Sequence, residues 1–178
     1  MKDGLHIDTK GNQNWFVNGK RHREDGPALE HATGDKRWFL NGKRHREDGP
    51  AVKLANGTMA WYFNNKRHRD DGPAFEDANG DKIWYLNNKR HRTNGPAIER
   101  VNGSQEWWIK DQLHREDGPA VKNVNGDKMW FLYSKQHRED GPAVMCTNGN
   151  NMWYLNDKEY TEDEFILTTS KFWQQVSL

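Results

Sequence analysis

Six times along this chain a histidine is followed by an arginine and, in most copies, by two carboxylates. His22, His45, His68, His91, His114 and His137 lie 23 residues apart, and His45-Arg46-Glu47-Asp48 is representative. An imidazole beside a carboxylate is the raw material of general-base catalysis and of metal ligation. Six equivalent copies argue against a catalyst, because an active site is an asymmetric constellation used once. No second histidine falls in register to complete a metal site, and His6 and His31 are isolated. Repetition favours a structural role, in which His and Arg bond the Glu-Asp-Gly turn of their own or the adjacent row. No enzyme activity, metal or cofactor is expected.

Two further columns carry candidate binding chemistry. Lys20, Lys43, Lys66 and Lys89, with Arg21, Arg44, Arg67 and Arg90, precede the first four histidines. Cations interleaved with aromatic rings bind single-stranded nucleic acid. Here an acidic pair follows in most rows and the net charge is only +1, far from the basic footprint of a nucleic-acid binder. A solvated, self-neutralised edge is the plainer reading. The fourth copy loses its acidic pair to Thr93-Asn94, so Lys89, Arg90 and Arg92 are expected to be the least neutralised cations. If an anionic partner binds, its expected place is around rows three and four, near Arg44, Arg67, Lys89, Arg90 and Arg92.

The aromatic column Phe16, Phe39, Tyr62, Tyr85, Trp108, Phe131 and Tyr154 directly follows an invariant column, Trp15, Trp38, Trp61, Trp84, Trp107, Trp130 and Trp153. Strand neighbours point to opposite faces, so the two columns cannot share one core. Either the twist and the Lys/Arg stems cover the second column, or it forms an open protein-binding stripe. On the latter reading Phe39, Tyr62, Tyr85 and Trp108 are binding residues.

These residues must be positioned by a repeat. The composition alone misleads: mean hydropathy is −1.20 with 30% charged residues, which suggests disorder. However, 12% of the chain is aromatic, and the apolar residues gather in a few columns of a 23-residue period. Each row carries turn signals. Glycine occupies one column (Gly11, Gly34, Gly57, Gly80, Gly103, Gly126, Gly149), preceded by Asn in the last five, which predicts a hairpin whose two turn residues both have positive φ. A second turn is predicted at Asn18-Gly19, Asn41-Gly42 and the Asn-Asn and Asn-Asp pairs that replace them. A third glycine precedes Pro, where a bulge or strand start is expected.

The resulting expectation is an all-β fold, an elongated twisted antiparallel sheet of about seven tandem 23-residue β-hairpin repeats. At two strands per row it would run roughly 65 Å. Stacked Trp residues would supply the core, each worth up to about 4–6 kcal/mol if fully buried. Residues 1–160 form the array. At its end Thr161 and Glu164 make a capping-box pattern, followed by Phe165, Ile166, Leu167, Phe172 and Trp173. This predicts a helix over 161–175, within a capping segment of residues 161–178, that closes the last repeat and hides the sheet edge.

The single cysteine, Cys146, cannot form an internal disulfide, and the N-terminus has no apolar h-region. The expectation is a soluble, cytoplasmic protein with no membrane span. The row pattern W-[FYW]-x-N-G-K-x-H with a later Asn-Gly resembles the MORN repeat over about residues 12–160. It departs where MORN units have His-Gly-x-Gly and this chain has HREDGPA. It looks closest to MORN-like variants with HRxDGPA in proteins of bacteriophages and large DNA viruses, and such chains often end in an acidic-aromatic helix. The resemblance implies an elongated, twisted antiparallel sheet but no activity, since repeat arrays host many functions. The expectation from the repeated columns is a non-enzymatic platform that captures a protein partner, and the viral-type variant points to a host factor, with inhibition of a defence or toxin protein in the host cytoplasm. Nucleic-acid binding along the Lys/Arg/His rows and a structural or assembly role are the alternatives.

Overall fold

In the computed structural model, which describes residues 2–176 with side chains through Ser170, the chain is all-β apart from one C-terminal helix, Glu162–Val176. It falls into two compact units, residues 1–90 and 91–178. Both are built from the same row, numbered here one to seven by the tryptophans.

Each row contributes two hairpins of different kinds. In the first, the strand after Pro-Ala pairs with the strand before the next Trp, as Val52–Lys53 does with Met59–Ala60. Strands of this kind add successively into one antiparallel ladder per unit. In the first unit the order is Gly4–Ile7, Gln13–Val17, Leu29–Glu30, Lys36–Arg37, Val52–Lys53, Met59–Ala60, Phe75–Glu76, Lys82–Ile83. In the second it is Ile98–Glu99, Gln105–Glu106, Val121–Lys122, Lys128–Met129, Val144–Met145. The second hairpin is small, as in Tyr62–Phe63 with Lys66–Arg67, and separate from the ladder except in row one, where Lys20–Arg21 pairs with the ladder strand Gln13–Val17.

The tryptophan is the pivot between the two. Trp38 N–H donates to the carbonyl of Ala51 at 2.8 Å, while the Trp38 carbonyl accepts from His45 N–H at 3.2 Å. The same exchange recurs at Trp61 and Trp107. A backbone that changes partner at one residue gives two-residue strands on either side of it, which is why the strands are so short.

The turn chemistry differs from the expectation in one column. At Asn56-Gly57 only the glycine has positive φ, +95°. Gly57 N–H bonds the Leu54 carbonyl and Leu54 N–H bonds that of Thr58, so the loop is longer than a two-residue turn. Asn56 stays on the ordinary side of φ and uses its side-chain oxygen to accept from Thr58 N–H. The two-residue turns with both φ positive are the small hairpins, as at Asn64 (48°) and Asn65 (67°). There even Lys110 (52°) and Tyr133 (49°) adopt the left-handed region.

The core also differs. Ala28, Ala51, Ala74, Ala97, Ala120 and Ala143, the alanines of the Pro-Ala pairs, are 0% exposed, whereas all seven tryptophans of the column are only half-buried. The Trp N–H to Ala carbonyl bond draws the two chains close enough that only a methyl fits between them. The ring then spreads over that methyl and is covered from outside by an arginine rather than by a second apolar layer.

The helix begins with the expected box: Thr161 N–H donates to Glu164 Oε2 at 2.9 Å and Glu164 N–H to Thr161 Oγ1 at 3.3 Å. The Thr161 N–H holds the Glu164 carboxyl below its ordinary pKa. Phe165 is buried, but Ile166 and Leu167 are 55% and 61% exposed, so one of these three apolar residues seals the last row. The side chains of Phe172 and Trp173 lie outside the described residues.

Candidate functional site

The HREDGPA loop is organised around an arginine lying on a tryptophan. The Arg46 guanidinium carbon sits 4.3 Å from the Trp38 ring centroid, and its Nε donates to Asp48 Oδ1 at 2.8 Å. Arg23 on Trp15, Arg69 on Trp61, Arg115 on Trp107 and Arg138 on Trp130 repeat this at 4.1–4.3 Å. The hydrogen bond from arginine holds Asp25, Asp48, Asp71, Asp117 and Asp140 below the ordinary carboxylate pKa. The glycine before proline serves this stack. Its φ is not positive, but a Cβ at Gly49 would lie 3.3 Å from Arg46 Cζ, and one at Gly72 only 2.8 Å from Arg69 Cζ. Because ring and carboxylate hold the guanidinium, that contact is not relieved by swinging the side chain away.

Histidine is a clasp between rows. His45 Nδ1 accepts the N–H of Asn64, the first turn residue of the next row, at 3.3 Å. His22, His114 and His137 receive the corresponding N–H from Asn41, Tyr133 and Asn156. Accepting at Nδ1 puts the ring proton on Nε2, which faces the carboxylate two residues on, Glu47 Oε1 at 3.3 Å for His45. Nδ1 of His68 and His91 is buried without a hydrogen-bond partner among the described residues. A second clasp comes from the other turn residue. Asn65 N–H donates to the Arg44 carbonyl at 2.8 Å while its Oδ1 accepts from Arg44 N–H at 2.7 Å. Asp157 does the same with Gln136, and Ser134 with Leu113.

Between successive loops lie grooves. One of about 750 Å³ runs between the loops of rows two and three, with Trp61 and Phe63 on its floor and Glu47, Asp48, Asp70 and Asp71 on its rims. A second, about 710 Å³, repeats it between rows five and six over Trp130 and Leu132, with Glu116, Asp117, Glu139 and Asp140. The accessible charge at both is negative. The rim carboxylates of the first are 79–85% exposed, whereas Arg46 and Arg69 are 21% and 25% exposed because they lie on their rings.

The expected binding residues are placed elsewhere. Arg44 lies over Tyr62 at 5.1 Å, and Arg67 sits among Tyr62, Phe75 and Tyr85 at 5.2–5.9 Å. Arg67 Nε donates to the Tyr62 hydroxyl at 3.1 Å. Burial lowers the Arg67 pKa, but the Tyr62 and Tyr85 oxygens more than offset this and raise it overall. The second aromatic column is therefore not an open stripe. Tyr62 is buried, and Phe39, Tyr85 and Trp108 are half-buried, with Arg21 over Phe39 and Trp108 Nε1 donating to Glu106. Lys89 is exposed and Arg90 is half-buried opposite Tyr85 in its hairpin. Arg92 corrects the expectation of a poorly neutralised cation. Its Nη1 reaches Glu99 Oε1 at 2.7 Å and the Pro96 carbonyl at 3.1 Å, and its Nε donates to Asn94 Oδ1 at 3.3 Å, so Asn94 stands in for the aspartate while Glu99, like Glu30 and Glu76 beside Arg23 and Arg69, supplies a carboxylate.

The groove carboxylates were passed over because in the sequence they look like mere neutralisers of the adjacent arginines. Their only advance signal was the order His-Arg-Glu-Asp, in which the residue two beyond Arg bonds it and the one between is left facing outward. No family model and no curated relative matches this chain significantly.

Proposed function

We propose that the protein is a non-enzymatic repeat platform that captures a protein partner. The observation carrying this reading is the pair of grooves in which exposed carboxylates rim a floor of Trp with Phe or Leu. Such a surface suits a protein presenting cationic and apolar groups, and it repels a phosphate backbone. The recurring His and Arg side chains are engaged in row-to-row and ring contacts, so they serve the stack rather than an asymmetric reaction centre. The MORN-like pattern, with its viral variants, makes a host factor the target class to try first, and inhibition of a defence or toxin protein the consequence of capture.

The test is an affinity pull-down of the tagged protein from bacterial lysate at low and high salt. A discrete protein retained reproducibly at low salt supports the reading. Nucleic acid retained at low salt without any discrete protein, and lost when Lys89, Arg90 and Arg92 are changed to Ala, overturns it in favour of nucleic-acid binding.

A further inference from the structure

We propose that the groove between rows two and three and the groove between rows five and six, each by itself, seat guanidinium or ammonium side chains of a basic segment of the partner. This rests on the protein-capture reading and names the chemistry of what is captured.

The row itself supplies the template. Wherever the loop is complete, an arginine rests on a tryptophan and donates to an aspartate, as Arg46 does with Trp38 and Asp48. Each groove presents part of the same chemistry to solvent: its tryptophan already carries Arg69 or Arg138, but beside that ring the floor continues in Phe63, 46% exposed, or in Leu132, with carboxylates above it. Their charge is in excess. In the first groove four carboxylates meet two arginines, and Asp48 and Asp71 are the ones those arginines bond. The surplus resides on Glu47 and Asp70, which face the Nε2 of His45 and His68. In the second groove it resides on Glu116 and Glu139, which face His114 and His137. For His45, His114 and His137 the backbone N–H received at Nδ1 fixes that Nε2 contact as a donor from a neutral ring.

The chemistry of the ligand follows by elimination. Among the described residues no three His, Cys, Asp or Glu side chains converge to hold a metal ion. An organic cation with an apolar stem uses both floor and rim. A lone amine would gain little, because one exposed ion pair changes affinity by at most about five-fold. A segment carrying several cations multiplies those factors, since each further contact is intramolecular. The groove between rows four and five is the internal control. It has a similar volume, about 710 Å³ over Trp107 and Ile109, but Thr93 and Asn94 stand in place of two carboxylates, so its loops carry two fewer negative charges than those of the first groove. It is assigned no cation.

The test titrates labelled octa-arginine into the full chain and follows fluorescence anisotropy at low and high salt, with octa-glutamate as the contrasting probe. The principal variant combines Glu47→Gln, Asp70→Asn, Glu116→Gln and Glu139→Gln, which keeps an acceptor for each His and leaves the Arg-bonded aspartates intact. It should lose at least about ten-fold in octa-arginine affinity, the product of several exposed pairs. Removing the exposed charges of Asp3, Glu162 and Asp163 in the same way should leave affinity within two-fold, and Thr93→Glu with Asn94→Asp should raise it about two- to five-fold. Circular dichroism establishes that each variant keeps its sheet. No binding of octa-arginine, equal binding by the principal variant, or equal loss in the control overturns the groove assignment. Running wild type and principal variant through the lysate pull-down separates the two claims. A discrete protein held equally by both leaves the platform reading standing and removes this one, whereas failure of the wild type to hold any protein removes the platform reading itself.

Discussion

The groove of rows two and three and that of rows four and five share a scaffold and differ in charge. Both have a tryptophan floor, an arginine stacked on that ring and a proline-preceding glycine beneath the loop. In one the loops end in four carboxylates, and in the other Thr93 and Asn94 replace two of them, with Asn94 Oδ1 accepting from Arg92 Nε in the aspartate's place. The stack tolerates this exchange because the arginine needs an acceptor, not a particular one. Features that hold a row together are thus separable from features that set its surface charge, and only the latter are free to differ between rows.

If the scaffold is common, removing either floor should cost the same. Trp61→Ala and Trp107→Ala should each destabilise by about 2–4 kcal/mol in denaturant titrations, and a difference above about 1 kcal/mol would break the comparison. The histidine clasp distinguishes rows more finely. His45→Ala strands the Asn64 N–H and should cost about 1–3 kcal/mol, while His68→Ala, whose Nδ1 has no hydrogen-bond partner among the described residues, should cost less by the same titration. In the hairpin of Trp108–Ile109 with Gln112–Leu113, beside the groove of rows four and five, the turn is strained at Lys110, so Lys110→Asn should stabilise by about 1 kcal/mol, read as a higher unfolding midpoint.

The smallest effect is electrostatic. An aspartate held by arginine has a folded pKa below its unfolded one, so it stabilises above the unfolded value, near 3.9, and that contribution disappears as pH falls through the folded value. Asn94 cannot take part. Asn94→Asp should raise the midpoint slightly at pH 7 and steepen its fall below about pH 4, which a series of pH-stepped melts would register.

Much of this was legible in the sequence because a repeat displays its constraints several times over. The Trp column, the paired turns, the Thr161–Glu164 box and the engagement of His and Arg with their loops could all be read from columns. The two turn types could not. Asn-Gly signals a left-handed pair in isolation, yet Asn56 forms a wider loop because Leu54 and Thr58 pair across it, while Tyr133 is forced into the left-handed region and compensated by stacking 4.1 Å from His114. Arg44, Arg67, Phe39, Tyr62 and Tyr85 looked available because cations and aromatics were counted in separate columns. Their mutual cover depends on hairpin register, as in Tyr62 opposite Arg67.

By itself the sequence determined the period, the all-β class and the division of each row into ring, turn and charged loop, because these follow from local propensity and from which residues recur. Only the tertiary structure decided which charge faces water. The planar, weakly hydrated guanidinium gains by lying on a tryptophan, and the carboxylates do not, so a chain with nearly equal numbers of basic and acidic residues presents its acids at the grooves.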